Sequence, residues 1–248
     1  MILAAGLGTR LRPLTESTPK ALVEVGGVAM LERIARRLVA AGVDRLIVNV
    51  HHLADRVEAF LTRADLGAEV RLSREPDAPL GTGGGVARAA GLFRGDAPFF
   101  LHNVDIVTDA DLGGLWAAHT GSDALATLAV GSRQTPRRLL FDDDGLYGWE
   151  NAATGASRTA RAPTGATARW PFAGIHVAEP RLLERMPATG ETVTAPFSIL
   201  DVYLEAAAAG ERVVPWDLGE ALWLEVGTPD RLARARERLA RAPGRVER

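Results

Sequence analysis

Apolar and polar positions alternate along the chain in two rhythms. In the first half, short apolar runs are separated by amphipathic stretches. Residues 1–5 form an apolar run that ends at Gly6. Leu31, Ile34, Leu38 and Val39 recur at helical spacing, and Gly42 stops the helix they predict. The β-branched run 46–50 predicts a buried strand, and Val57, Phe60 and Leu61 mark the next helix. Residues 70–72 predict a short strand, 86–92 a short helix, 98–101 an apolar strand, 112–118 a helix and 125–130 another strand. Strand–helix alternation of this kind implies parallel strands joined by right-handed crossovers, an α/β layered domain.

After about residue 131 the rhythm changes. Leu139-Leu140-Phe141, then Asp142-Asp143-Asp144-Gly145, then Leu146-Tyr147-Gly148-Trp149 predict a β-hairpin. Residues 151–168, rich in Ala, Thr, Gly and Arg, predict a loop or irregular flap. A strand over 172–177, a helix over 197–209 ended by Gly210, short strands over 213–216 and 222–226, and a closing helix over 230–241 complete the pattern. No repeat or linker interrupts it. The expectation is a single domain over 1–243, divided into 1–130, 131–227 and a closing helix 228–243, with a frayed tail over 244–248 after Pro243.

Composition narrows the function classes. The 248 residues are 47% hydrophobic and 24% charged, enough for a core without staples and far from disorder. The net charge of −2 offers no broad basic field for nucleic acid, so no nucleic-acid partner is expected. The absence of cysteine excludes disulfides, thiolate metal sites and thiol nucleophiles. No apolar stretch suits a membrane span, and Arg10 and Arg12 follow the apolar start, the wrong order for a signal peptide. A soluble, cytoplasmic protein is expected. Among the basic residues there is a single lysine, Lys20, against 28 arginines. A lone ammonium in such a chain is either chance or a site where a compact point charge does what a planar guanidinium cannot.

The segment Leu3-Ala4-Ala5-Gly6-Leu7-Gly8-Thr9-Arg10-Leu11-Arg12-Pro13-Leu14-Thr15, continuing to Pro19-Lys20, carries the chemistry. A strand ends in a glycine-rich turn whose N–H groups can approach phosphate oxygens. It is neither a Walker A loop nor a dinucleotide fingerprint, since the third glycine of GxGxxG would fall on Leu11. Three cations, Arg10, Arg12 and Lys20, on one proline-punctuated loop suit a polyphosphate better than a solvated surface turn.

This stretch resembles the signature of the sugar-1-phosphate nucleotidylyltransferases, G-x-G-T-R-[LM]-x-P-L-T followed by P-K. Four further segments carry the resemblance across the chain: Leu80-Gly81-Thr82-Gly83-Gly84-Gly85, Asn103-Val104-Asp105, Phe172-Ala173-Gly174-Ile175, and Trp223-Leu224-Glu225-Val226-Gly227-Thr228-Pro229. The resemblance implies a Rossmann-like three-layer α/β/α fold with a mixed, mostly parallel central sheet and a small β-rich insertion that binds the sugar. Residues 1–130 would bind the nucleotide and 131–227 the sugar. The implied reaction joins a nucleoside triphosphate to a sugar 1-phosphate, releasing pyrophosphate, with Mg²⁺ as cofactor.

Residue by residue, the resemblance makes Arg10 and Lys20 catalytic. It assigns the nucleotide to Leu3, Ala4, Ala5, Gly6, Gly8, Thr9, Arg10, Thr82, Gly83, Gly84 and Asn103, and the metal to Asp105 and Glu225. Gly174 would line the sugar pocket, and Glu150 and Asn151 after the hairpin are candidates for the sugar hydroxyls. An Asp after a strand can instead cap a helix, but Thr108 and Asp109 are better placed to cap the one that follows. The chain departs from the family in two places. Glu225 stands where Asp is usual, and the Glu-Lys-Pro motif whose lysine clamps the sugar phosphate is missing, leaving Arg158, Arg161 or Arg169 of the flap as substitutes. The NVHHLAD run, the TGGG segment and the short length look most like the N-acetylmuramate 1-phosphate uridylyltransferases, with mannose-1-phosphate guanylyltransferase-like members close behind. A non-catalytic binding homologue and, third, a phosphocholine-type cytidylyltransferase are the alternatives. The adjacent His51 and His52, the scattered His102, His119 and His176, the Asp142–Gly145 turn and the arginines of the last helix are expected to be structural.

Overall fold

A computed structural model describes residues 1–75 and 77–241. The first half runs through β1 (Ile2–Leu3), α1 (Leu14–Ser17), β2 (Glu24–Val25), β3 (Val28–Ala29), α2 (Met30–Ala40), β4 (Arg45–Val50), α3 (Ala54–Arg63), β5 (Glu69–Arg74), α4 (Gly81–Arg88), β6 (Phe99–Asn103), β7 (Ile106–Thr108), α5 (Leu112–Thr120) and β8 (Ala126–Val130). The second half continues with β9 (Arg137–Asp142), β10 (Gly145–Asn151), β11 (Ala156–Thr159), β12 (Ala168–Trp170), β13 (Phe172–Ala178), α6 (Ile199–Ala208), β14 (Val213–Asp217), β15 (Trp223–Glu225) and α7 (Pro229–Ala240).

Seven strands form the central sheet in the order β14-β8-β13-β6-β1-β4-β5. β1 pairs in parallel with β4 and β6, β4 with β5, and β14 with β8, while β13 runs antiparallel to both its neighbours. The period of two sorts side chains to the two faces. In β4, Leu46, Val48 and Val50 join the core packed by α2, α3 and α5, whereas Ile47 joins the core packed by α4 and α6. This is a three-layer α/β/α arrangement. Strands β11-β10-β9-β12 make a separate antiparallel sheet, whose Leu139, Phe141 and Leu146 extend the α6-side core.

The chain leaves β1 toward β4 on one side and later returns to β6 on the other, so the winding reverses between β1 and β6. Open α/β sheets bind ligands at the carboxyl ends of the strands at such a reversal. The helix α7 secures that end. Thr228 caps it, accepting from Arg231 N at 3.4 Å, and Pro229 opens its first turn. Its buried Leu232, Ala235 and Leu239 pack on Leu11, Val23, Val25, Val107 and Val226, and each buried leucine contributes about 1.5–3 kcal/mol. No helix among the described residues is long and apolar enough to cross a membrane.

The structure departs from the sequence expectation in three places. Residues 81–85 are not a loop before a helix at 86 but the opening of α4 itself. The expected flap over 151–168 contains strand β11 and the start of β12, because hairpin β9–β10 offers each of its edges to one of them. Asp111 caps α5, accepting from Gly114 N at 2.9 Å, while Thr108 and Asp109 bond Leu222 across the β7–β15 pair. The tail beyond 241 lies outside the described residues.

Candidate active site

The glycine-rich turn leaves β1 and folds back at once. Gly8 is left-handed (φ 66°), and its carbonyl accepts from Thr15 Oγ1 and Leu11 N, both at 2.8 Å. The tight turn Thr9–Leu11 that results buries Leu11 and leaves Arg10 exposed above the sheet. Farther along, Pro19 leads into the turn Lys20–Leu22 and places Lys20 beneath that loop. Its side chain is only 12% exposed, and the ammonium donates to Asp105 Oδ2 at 2.5 Å.

Asp105 follows β6 directly, at the winding reversal. Antiparallel pairing of β7 with β15 puts Glu225 opposite Ile106, and Val226 N donates to Asp105 O at 2.7 Å. Two carboxylates 120 positions apart in sequence are thereby tied to one small ladder. Glu225 Oε1 accepts from Arg10 Nη2 at 3.3 Å, and Glu225 Oε2 accepts from Arg231 of α7. Gly227 is required for this packing, since a Cβ there would lie 2.6 Å from Glu225 Oε1 and 2.8 Å from Arg10 Nη2.

Two clefts meet at Asn103 and Asp105. The smaller, about 220 Å³, is lined by Leu3, Ala5, Gly6, Lys20, Gly81 and Thr82, with Asn49 and Glu75 at its back. The larger, about 590 Å³, is lined by Arg10, Arg133, Trp149, Gly174, Trp223 and Glu225, among others. A third groove, at the amino ends of the central strands, is apolar and remote from both. Gly174 has φ 77° and lies against Asn103, where a Cβ would come within 2.7 Å of Nδ2. Trp223 Nε1 donates to Ala173 O at 2.8 Å, and the guanidinium of Arg133 lies 3.8 Å above the Trp223 ring. Burial lowers the Arg133 pKa to about 10, an effect Glu225 opposes and Arg231 reinforces.

Other candidates stand elsewhere. Ala4 N donates to Asn49 Oδ1 at 2.7 Å, so that group is held inside the sheet. Gly8 and Thr9 line neither cleft. Gly83 and Gly84 are buried in α4 with their N–H groups on Phe197 O, at 3.0 and 3.4 Å. A Cβ on Gly83 would come within 2.5 Å of the Phe197 ring, and one on Gly85 within 2.5 Å of Asn49 Nδ2. Close packing of α4 therefore explains these glycines. Of that segment, Gly81 and Thr82 reach the cleft. Glu150 pairs with Arg169 at 3.4 Å, and Asn151 Oδ1 accepts from Ala153 N in a turn; neither lines either of the two clefts.

The flap arginines are committed to structure as well. Arg158 pairs with Asp201 and Glu205, and Arg161 holds Asp142 through both nitrogens. That pairing, with N–H bonds from Thr164 and Asp144, keeps the Asp142 carboxyl well below the usual range despite its burial. The histidines are structural. His51 Nδ1 meets Glu75 O and His52 Nε2 meets Thr15 O. Burial lowers His102 to about 4 and His176 to about 3, leaving neutral rings in the core.

Sequence reasoning missed Arg133 and Arg231 as cleft residues and Asn49 as the cleft's polar back wall. Asn49 had a signal, a lone amide inside an apolar β-run. Arg133 had none, being one arginine among many in a loop.

Residues 1–141, more than half of the chain, match the family model described as nucleotidyl transferase. The chain belongs to the nucleotidyl transferase family. This nucleotidyltransferase is 36% identical to an N-acetylmuramate alpha-1-phosphate uridylyltransferase of Caulobacter vibrioides, over 98% of this chain and 97% of that one. It is 32% identical to the mannose-1-phosphate guanylyltransferase catalytic subunit beta of Drosophila pseudoobscura pseudoobscura, over 92% of this chain but 59% of that longer one. The fold is that of a Bacillus anthracis protein crystallised with sucrose, with a TM-score of 0.78 at 19% identity over 97% of this chain and 94% of that one.

Proposed function

We propose that this nucleotidyltransferase transfers a uridylyl group from UTP to N-acetylmuramate 1-phosphate in a Mg²⁺-dependent reaction, releasing pyrophosphate. The observation that carries this reading is the convergence of Lys20–Asp105 and Arg10–Glu225 where the two clefts join. The smaller cleft, in residues 1–130, would take the nucleotide, and the larger, mostly in 131–227, the sugar phosphate. Five arginines and two carboxylates line the larger cleft, a balance that suits a polyanion. The full-length likeness to an N-acetylmuramate alpha-1-phosphate uridylyltransferase supports the choice of base and sugar. A nucleoside triphosphate donor places the reaction in the cytoplasm.

The residues fit a hard divalent ion. Among the described residues no three His, Cys, Asp or Glu side chains form a metal cage. Mg²⁺ needs none, since it keeps waters and phosphate oxygens and takes one or two carboxylates from the protein. Asp105 and Glu225 would be those two, and the bound ion would neutralise charge on the phosphate oxygens.

In the reaction, an oxygen of the sugar 1-phosphate attacks the α-phosphorus, and the bond to the β,γ-pyrophosphate breaks. Both reactants are polyanions, so positioning and charge neutralisation account for most of the catalysis. Lys20 would turn from Asp105 to the α-phosphate. Arg10, freed from Glu225, would take up charge on the leaving pyrophosphate. Gly6, Gly81 and Thr82 would contact the nucleotide. Engagement of both Glu225 oxygens by guanidinium groups favours a second reading, a binding homologue without turnover.

Pyrophosphate release with Mg²⁺ tests both. UTP, GTP, CTP, ATP and dTTP are each paired with a panel of sugar 1-phosphates that includes those of N-acetylmuramate and mannose. Release only with UTP and N-acetylmuramate 1-phosphate is expected. Release with GTP and mannose 1-phosphate would replace the substrate assignment. No release from any pair, despite nucleotide binding, would establish the second reading.

A further inference from the structure

Two of the five arginines of the larger cleft, and Lys20 of the smaller one, answer to a carboxylate. Arg10 and Arg231 hold Glu225, and Lys20 holds Asp105. Arg133, Arg137 and Arg138 line the larger cleft with no carboxylate in ion-pair contact among the described residues. Arg133 is the one of these three that is held in place. Its guanidinium lies over the Trp223 ring at 3.8 Å, and Nη2 donates to Phe172 O. Trp223 is itself pinned by its bond to Ala173 O. A planar fork held in place, with donors left over, is the geometry that recognises a carboxylate or a phosphate.

We propose that Arg133, braced on Trp223, is the specificity-determining clamp for an anionic group carried by the acceptor sugar, either its 1-phosphate or a carboxylate substituent. The proposal rests on the reading of the larger cleft as the sugar site. Two features assign the anion to the acceptor rather than to the nucleotide. Arg133 lines the larger cleft and not the smaller one, and it shares that wall with Trp149, Phe172 and Gly174 of the second half. Its pKa, lowered to about 10 by burial, still leaves the group charged at neutral pH. A half-buried charge whose nearest counter-charge, Glu225, is not in ion-pair contact and is already held by Arg10 and Arg231 carries a desolvation cost that an arriving anion relieves.

The test compares Arg133→Gln and Arg133→Lys with the parent protein. Glutamine keeps a planar amide to stack on Trp223 and donate to Phe172 O, but loses the charge. Lysine keeps the charge and loses the fork. Loss of a charge-assisted hydrogen bond is expected to raise the acceptor KM of Arg133→Gln roughly 10- to 100-fold, with the nucleotide KM and the melting temperature unchanged. Arg133→Lys should fall between the two. The acceptor is N-acetylmuramate 1-phosphate, and N-acetylglucosamine 1-phosphate, which lacks the carboxylate, is compared with it as a ligand. Weakened binding of both places the clamp on the 1-phosphate, and weakened binding of the first alone places it on the carboxylate. Unchanged acceptor KM, or an equal rise for the nucleotide, overturns the proposal. Calorimetric titration of both sugar phosphates onto parent and variant proteins reads the clamp without turnover, so failure of the transfer reaction is distinguished from failure of the clamp. Equal affinity of parent and variant, or no affinity in either, overturns it there too.

Discussion

Gly83→Ala sets helix propensity against packing, and the structure decides between them. Gly83 lies inside α4, where Ala is favoured over Gly by about 1 kcal/mol. Propensity alone therefore predicts a more stable protein. The added Cβ, however, would lie 2.5 and 2.6 Å from two ring carbons of Phe197 and 2.9 Å from the carbonyl carbon of Ser198. Carbon atoms pack at about 3.5–4.0 Å, so something must move by roughly 1 Å. The ring has some freedom, but the backbone at 197–198 has little. Phe197 O accepts from Gly83 N and Gly84 N, Phe197 N donates to Leu80 O, and Ile199 N donates to Thr82 Oγ1. Overpacking costs about 1–3 kcal/mol and each weakened hydrogen bond about 0.5–1.5. The net expectation is destabilisation by about 1–2 kcal/mol, a fall in Tm of about 2–8 °C for a chain of this size. Calorimetry and urea unfolding measure it. Gly91→Ala is the control, since nothing lies within 4 Å of that Cβ and its stability should stay within about 0.5 kcal/mol of the parent. A Gly83→Ala protein as stable as the parent would refute the packing argument. Unchanged stability with a raised nucleotide KM would return this glycine to a direct role at the nucleotide.

Three further outcomes are expected. Lys20→Ala should lower turnover by two or more orders of magnitude, about 10²-fold or more, while the melting temperature stays near the parent's; unchanged steady-state turnover would remove Lys20 from the mechanism. Asp105→Asn should abolish Mg²⁺-dependent pyrophosphate release, and full activity at ordinary Mg²⁺ would reassign the residue to holding Lys20 and Val226. Asp142, its pKa depressed chiefly by the bonds from Arg161, contributes stability that is complete above the ordinary carboxylate range of about pH 4 and is lost as pH falls below it. The gap in Tm between parent and Asp142→Asn should accordingly stay constant from pH 7 to about pH 5 and begin to narrow as pH falls below about 4; two parallel curves down to pH 3 would show that the Arg161 pair contributes nothing to folding stability.

Much of the architecture was legible in residue order because it depends on local periodicity. Helical spacing at Leu31, Ile34 and Leu38, the β-run around Val48 and the Thr228-Pro229-Asp230 helix start each act within a few residues. The motif from Gly6 to Lys20 was legible for the same reason: its glycines, prolines and cations lie on one continuous connection between β1 and β2. The TGGG segment was not legible as the start of a helix, because a glycine free to bend as a loop and a glycine required by a neighbouring segment are the same letter. Phe197, more than a hundred positions away, supplies the pressure that makes Gly83 a helix-packing residue. Pairings of this range were settled only in three dimensions. The β7–β15 ladder brings Glu225 to Asp105, and α7 adds Arg231 to the same carboxylate. The flap arginines Arg158, Arg161 and Arg169, read as substitutes for the missing lysine, are taken by Asp201 and Glu205, by Asp142 and by Glu150. Arg133, unremarked in its loop, lies on Trp223 in the cleft. Local sequence thus determined which elements form and which loop carries the cations. Tertiary packing decided which cations are spent on carboxylates and which remain for a ligand, because charge pairing depends on distance in space and not on distance along the chain.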